Sequence, residues 1–244
     1  MANEHGFNEP GRYHGLFRHF SGYYERFLDL IIDAGDIDPG FVLDLACGVG
    51  DFTSVLARRF PRARVTGMDV SPAFITFART NSPDRDIAYH VSPAQSLPGL
   101  SWAGEIDTIF IKGAYHLFEQ LMPIETFAHP AFRALRWVIV VEKTERSLAS
   151  YPVPEDAARK RQRYVSADLG ARRLRVPPGV TLRSLSYGES IVVPGEDYLD
   201  AVRHRQFSYL DETPDAALAA WLAAQPPGES IALFEENVSN IYQL

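Results

Sequence analysis

The chain of 244 residues holds a single cysteine, Cys47, so an intrachain disulfide and a cysteine-built zinc cage are both excluded. Positive charge is scarce as well: 24 Lys+Arg stand against 31 Asp+Glu, a formal net charge of −7. A protein that grips nucleic acid by neutralising phosphates is not expected from that balance. No stretch approaches the roughly 18 apolar residues of a membrane span. The opening MANEHGF is acidic and polar where a secretory leader needs a basic and then an apolar run. The expectation is a soluble, unanchored, cytoplasmic protein with no nucleic-acid or membrane partner. Internal repeats and low-complexity linkers are lacking too. With 46% hydrophobic and 23% charged residues, the chain has enough apolar material for one sizeable core.

What is present is an alternation of strand-like and helix-like segments. Over residues 17–34, Phe17, Phe20, Tyr24, Phe27, Leu28, Ile31 and Ile32 recur at helical spacing and predict an amphipathic helix. Residues 41–45 form a short apolar run that leads into a glycine turn, Ala46-Cys47-Gly48-Val49-Gly50, and a helical segment over 52–60. Residues 64–68 read as a second strand closed by Asp69. Ser71-Pro72 is then a cap and first-turn pair that starts another helix. Further strands are expected at 87–91, 106–111 and 137–141, with a helix over 117–127. Beyond Lys143 a helix over 155–169 carries Arg159, Lys160, Arg161 and Arg163, two strand pieces fall within 180–193, helices follow at 196–210 and after Pro214, and a last strand spans 230–235 and resumes to 242. The alternation implies a largely parallel sheet covered on both faces.

The chemistry concentrates at the ends of the first two strands. Glycines at 48 and 50 let backbone approach a ligand and free its amides to act as donors. Asp44 stands beside the turn, and Asp69, closing the second strand, is placed to accept ribose hydroxyls. The plainer alternatives are a carboxylate that merely satisfies turn amides at Asp44 and a helix cap at Asp69. No Lys followed by Ser or Thr enters the turn, so a P-loop is not supported. A nicotinamide site would want a third glycine where Thr53 stands.

These segments, VLDLACGVGDFT (42–53), VTGMDVSPAFITFAR (65–79), HVSPAQSLPG (90–99) and EIDTIFIKGAYHLFE (105–119), resemble the class I S-adenosylmethionine-dependent methyltransferases in order and spacing over about the first 140 residues. The resemblance implies a Rossmann-like α/β fold with a mostly parallel seven-stranded sheet and helices on both faces. It implies S-adenosylmethionine as cofactor, with Asp44, Ala46, Cys47, Gly48 and Gly50 at its methionine part, Asp69 at the ribose, Val70 flanking the adenine, Ala94 and Gln95 at the adenine edge, and Lys112, Gly113 and Ala114 lining the opening beside the sulfonium. Four features depart from the pattern: Ala46 replaces a glycine, Pro93 replaces an acidic residue, Lys112 occupies a place more often small or neutral, and the Gly-Gly hairpin before the fifth strand is missing, Phe132-Arg133-Ala134-Leu135-Arg136 running straight into Trp137. A cation beside a sulfonium is unhelpful, so Lys112 is expected to point away or to pair with a carboxylate.

Methyl transfer from a sulfonium is an in-line displacement that needs alignment and shielding more than a protein nucleophile. His116 and Glu142, at the ends of the fourth and fifth strands, are candidates for base and acceptor contact, with Lys143 on the same rim. Tyr24 is a candidate to close over the sulfonium with Tyr13, His14 and Tyr23, and Ser208 to orient the acceptor with Arg203, His204 and Tyr209. Each has a structural alternative, a loop hydrogen bond for His116 and core packing for the tyrosines. No metal is expected. The expected organisation is a helical lead-in over 1–40, a cofactor-binding core over 41–143 and a C-terminal part with substrate-side helices over 144–244, as a monomer or homodimer. The function expected is methyl transfer to a small-molecule acceptor of secondary-metabolite type. A cyclase that consumes the cofactor and releases methylthioadenosine, and a catalytically silent binding protein, are the alternatives.

Overall fold

A computed structural model describes residues 9–82, 86–117, 120–161, 176–207, 210 and 213–244. Its strands are β1 (Phe41–Leu45), β2 (Arg64–Asp69), β3 (Ala88–Val91), β4 (Thr108–Lys112), β5 (Trp137–Lys143), β6 (Thr181–Val193) and β7 (Ile231–Gln243). They form one seven-stranded sheet in the order β3-β2-β1-β4-β5-β7-β6. The ladders β1/β2, β1/β4, β2/β3 and β4/β5 are all parallel. The order reverses between β1 and β4, and in open α/β sheets the carboxyl ends at such a reversal are where ligands bind.

The helices are α1 (Pro10–Phe17), α2 (Ser21–Gly35), α3 (Asp51–Arg59), α4 (Pro72–Asn81), α5 (Glu145–Ala149), α6 (Gly195–Arg203) and α7 (Asp215–Ala223), with a further helical stretch over residues 155–161. In α2 the apolar face that forms the helix, Tyr23, Tyr24, Phe27, Leu28 and Ile31, is fully buried. Ser71 caps α4 by accepting the Phe74 N–H at 3.3 Å, with Pro72 in the first turn, as its sequence requires. All five residues of β1 are buried, Asp44 among them, because the strand lies between β2 and β4.

Several expectations need correcting. The described residues of 117–127 make no α-helix: short 3-10 turns run over Tyr115–Leu117, Ile124–Ala128 and Pro130–Phe132. Pro123 and Pro130 each remove an amide donor and restrict the preceding residue. The helix expected over 196–210 ends at Arg203, since Arg205 turns left-handed with φ 52°. The pieces expected within 180–193 and 230–242 are two continuous strands of 13 residues each. Only residues 155–161 of the helix expected over 155–169 fall among the described residues.

The chain forms two compact units, each with its own core. One comprises Ser21–Glu142, the part of β6 that ends at Tyr187, and Asn237–Leu244. Its core gathers Leu43, Leu45, Ile109, Ile111, Val138 and Val140 from the strands with Phe127 and Phe132 from the turns. The other holds, among the described residues, those up to Phe20, those over 143–161 and those of Gly188–Glu236. At its centre Glu235, with no exposed surface, accepts from Lys143 Nζ at 2.8 Å, Tyr151 Oη at 2.7 Å and Ser147 Oγ at 3.1 Å. The Lys143 ammonium also lies over the Tyr151 ring at 4.5 Å. A buried carboxylate is tolerated only when its lone pairs are filled in this way, and removing one member strands the others. Glu235→Ala is therefore expected to lower the stability of the protein by about 3 kcal/mol, read as a shift of the urea unfolding midpoint.

Candidate functional site

The site is built by the carboxyl ends of β1, β2 and β4. Register places Asp44 beside Gly67 of β2 and Phe110 of β4, so the carboxylate sits in the middle of the sheet two residues before the turn. It is 1% exposed, and its Oδ2 accepts the Thr53 hydroxyl at 2.6 Å. Thr53 reaches it from the first turn of α3, three residues after Gly50. Burial raises the Asp44 pKa to about 6, against the opposing pull of the Thr53 hydrogen bond and the Lys112 charge; the neighbouring Asp69 adds to the rise. The alternative of a carboxylate that feeds on turn amides does not describe it, because its hydrogen-bond donor is a side chain.

Asp69 does feed on amides. Its Oδ2 accepts the Gly48 N–H at 2.9 Å and its Oδ1 the Ser71 N–H at 2.8 Å, which ties the turn after β1 to the end of β2. The helix cap itself is Ser71, so Asp69 is a brace and not the cap of α4. Burial raises its pKa as well, opposed by those amides. Beside it Val70 is 67% exposed and Val91, its register neighbour's strand end, is 45% exposed. Two bare valines next to a ribose-sized acceptor make an apolar bed for a flat ring. Gln95 is exposed and Ala94 half-buried in the 3-10 turn after β3.

The turn departs from one expectation in a way that matters. Three of its amides are not free donors: Cys47 N–H donates to Met68 O at 3.1 Å, Gly50 N–H to Cys47 O at 3.1 Å, and Gly48 N–H to Asp69. Gly48 and Gly50 also differ in what they open to. A Cβ at Gly48 would meet only the Phe74 ring, at 3.8 Å, whereas one at Gly50 would lie 2.6 Å from Tyr89 Oη and 3.0 Å from Ala78 Cβ. Gly48 leaves backbone bare; Gly50 makes room for Tyr89. Gly113, with φ 64° and nothing within 4 Å of its missing Cβ, is the corresponding bare position after β4. Ala46 holds φ 62°, a left-handed conformation that costs a residue with a Cβ about 1–2 kcal/mol. Burial and the nearby Asp44 and Asp69 push the Cys47 thiol well above its usual pKa, so it stays protonated and is no nucleophile.

Lys112 ends β4 beneath α2. Its Nζ lies 3.4 Å from Tyr24 Oη, 4.5 Å above the Tyr24 ring and 5.7 Å from the Phe52 ring. Tyr24 is 3% exposed and packed edge-on against Phe52 and Tyr23. Tyr23 is likewise core: its hydroxyl donates to Tyr187 O at 2.9 Å and accepts from Asn237 at 2.8 Å. His116 and Glu142 are brought together, Nδ1 to Oε2 at 3.8 Å, at the ends of neighbouring strands. Tyr13, His14, Lys143, Arg203 and His204 belong to the other unit, where His204 Nδ1 lies 2.9 Å from Asp200 O. Ser208, Tyr209 and Arg163 lie outside the described residues. Thr53 and Tyr89 went unread in the sequence. Thr53 carried a signal in its place on the inner face of α3, one turn from Gly50, while Tyr89 showed only the alternation of its strand, buried between an exposed Ala88 and a half-buried His90.

The methyltransferase domain family matches residues 42–136, the stretch that builds this site. Over these residues the chain is similar to a methyltransferase domain. Among relatives of the methyltransferase domain, a trans-aconitate 2-methyltransferase of Escherichia coli (strain K12 / DH10B) is 41% identical over 70 residues, 28% of each chain. One of Delftia acidovorans (strain DSM 14801 / SPH-1) is 37% identical over 95 residues, 34% of each chain. The matches thus span about a third or less of the length of these relatives. Two solved structures share the fold. A plantazolicin methyltransferase in complex with a monoazolic desmethylPZN analog and SAH is 16% identical with a TM-score of 0.52, covering 97% of this chain and 87% of that one. A structure from the conversion of a disulfide bond into a thioacetal group during echinomycin biosynthesis is 18% identical with a TM-score of 0.50, covering 88% and 79%.

The two unusual turn positions of the methyltransferase domain make opposite expectations. Ala46→Gly removes the left-handed strain and is expected to raise stability by about 0.5–1 kcal/mol after the greater freedom of glycine in the unfolded chain is counted. Gly50→Ala, with its own φ of 83° and a clash against Tyr89, is expected to lower it by about 2–4 kcal/mol. Chemical unfolding of the two variants beside the parent reads both.

Proposed function

We propose that this chain transfers the methyl group of S-adenosylmethionine to a small-molecule acceptor. The observation that carries the reading is the charge of the crevice together with the inward-turned amides. Asp44 and Asp69 flank the turn and Asp51 opens α3, so a helix N-terminus that would otherwise favour phosphate carries a carboxylate. With the Cys47, Gly48 and Gly50 amides already committed, the turn offers carbonyls and close approach. That suits a ligand with a sulfonium and an ammonium and opposes the pyrophosphate of a dinucleotide. Bare backbone at Gly48 and Gly113, together with the exposed Val70 and Val91, fits the adenosyl and methionine parts of such a ligand.

In this reading Asp69 accepts the ribose hydroxyls while it holds the turn, Val70 covers one adenine face, Ala94 and Gln95 meet its edge, and Asp44 supplies the negative charge for the amino-acid end. When bound, the cofactor supplies an activated methyl group, so the protein's task is alignment of the acceptor and exclusion of water. In the same reading His116, with the Glu142 carboxylate 3.8 Å from its Nδ1, takes a proton from a hydroxyl or ammonium acceptor. The names of the trans-aconitate relatives and the plantazolicin neighbour are consistent with a small organic acceptor.

Incubation with S-adenosylmethionine and a metabolite extract, followed by mass spectrometry, is expected to yield S-adenosylhomocysteine only when the extract is present. Methylthioadenosine formed without extract would replace methyl transfer by cyclisation. A second expectation concerns pH. An acid whose pKa is raised in the folded protein binds its proton more tightly there, so ionised Asp44 costs stability as pH rises from about 4 through 6, and a cation bound beside it recovers that cost. Calorimetric affinity for S-adenosylmethionine should be flat above pH 7 and fall by about tenfold per pH unit below pH 6, with the dependence lost in Asp44→Asn.

A further inference from the structure

Lys112 is the residue of the crevice that the sulfonium does not explain. A cation there is unhelpful to a cationic cofactor, yet it is held in place with care. Tyr24 from α2 and Phe52 from α3 present their rings to its ammonium at 4.5 and 5.7 Å, and the Tyr24 hydroxyl lies 3.4 Å from Nζ. These rings come from two different helices and confine a side chain that would otherwise carry several rotatable bonds of freedom. The ammonium is thus localised near the ends of β1 and β4, where Asp44 also stands.

The register supplies the rest. Asp44 of β1 pairs with Phe110 of β4, and Lys112 follows two residues later on the same side of the sheet, since alternate strand residues share a face. An anion and a cation therefore stand side by side at the adjoining ends of two central strands, and the field of Lys112 is felt at Asp44. Each strand end is followed by a glycine with bare backbone, Gly48 after β1 and Gly113 after β4. An amino-acid zwitterion carries the complementary pair, an ammonium and a carboxylate on one carbon. Of all parts of S-adenosylmethionine, only its amino-acid end has a negative group to meet a lysine.

We propose that Lys112, braced by Tyr24 and Phe52, is the seat of the carboxylate of the cofactor's amino-acid end, with Asp44 receiving the ammonium on the same carbon. The assignment rests on the methyltransferase reading of the site and gives that site a specificity: it selects ligands with an intact amino-acid end over adenosyl compounds that lack it. Lys112 thereby holds the methionine chain extended away from the sulfonium, which keeps the ammonium of the lysine distant from the methyl group in transfer. Tyr24 acts as a positioning residue for Lys112 and not as a cover over the sulfonium.

The test is calorimetric binding of three ligands to the full chain and to Lys112→Met: S-adenosylmethionine, its decarboxylated form, which keeps sulfonium and ammonium but lacks the carboxylate, and methylthioadenosine, which lacks the whole amino-acid end. The parent is expected to prefer S-adenosylmethionine over the decarboxylated ligand by about 10- to 100-fold, the scale of a charge-assisted hydrogen bond. Lys112→Met should erase that preference while methylthioadenosine binds both proteins equally. An equal loss for S-adenosylmethionine and the decarboxylated ligand would overturn the proposal and make Lys112 a partner of Asp44 alone. Unchanged preference in the variant would overturn it as well. Lys112→Arg keeps the charge and is expected to retain most of the preference, which guards against a variant that merely folds poorly. Failure of the parent to bind methylthioadenosine and S-adenosylmethionine alike is a different result, and it would overturn the reading of the site itself.

Discussion

The hydrogen bond from the Gly48 amide to Asp69 is the constraint on which the rest of the site depends. It runs from the loop after one strand to the last residue of the next, so it fixes the turn relative to the sheet while Asp69 remains at the crevice edge with lone pairs to spare. Through it a single carboxylate sets the turn's shape and spends one of its donors. The Cys47 and Gly50 amides are spent within the same small region. Without that consumption, a glycine turn opening a helix would present a ring of N–H groups, the environment that phosphate prefers.

From this follows the electrostatic character of the crevice. The carboxylates at 44, 51 and 69 surround the turn, and the charge of Lys112 is felt at Asp44. Asp44 pays no dividend to the fold: burial holds its pKa near 6, so at neutral pH the ligand-free protein carries a charge it would sooner lose. Such a poised group is compensated by a bound cation, and this is how a stability cost in the free protein becomes binding free energy in the complex. The Glu235 cluster of the other unit shows the contrast. There the carboxylate has three donors on the protein itself, and nothing in the arrangement waits for a ligand.

Most of the architecture around the crevice was legible because its causes are local. The run 41–45, the strand closed by Asp69, and the Ser71-Pro72 cap each declare themselves within a few residues, and the ladder order follows from right-handed crossovers through the helices between them. Segments shaped by tertiary contact were less readable. Residues 117–127 have an apolar content that suits a helix, but Pro123 and the packing of Met122, Ile124 and Phe127 into the core favour short 3-10 turns. In β6 the polar alternation suggests pieces with a break, although the chain runs on because Gly188 lets the Phe234 and Glu236 side chains cross close over it. Within the site, charges and glycines could be named from sequence, whereas Tyr89 beneath Gly50 could not: its partner is 39 residues away and the need for it appears only when β3 is laid beside β2.

Two glycines in one turn with separate duties show why a motif alone is a weak guide. Gly50 is demanded by the interior, where a tyrosine fills the space a side chain would take, and Gly48 by the exterior, where backbone is left bare. A dinucleotide-binding turn and a sulfonium-binding turn can share both demands, since close packing and close approach are needed in each. What separates them is where the amides point and which charges stand nearby. In this chain the Cys47, Gly48 and Gly50 amides point at the protein, the helix opens on Asp51, and Lys112 stands two residues beyond the register partner of Asp44, so in the proposed reading the turn discriminates by charge placement and not by its glycine spacing.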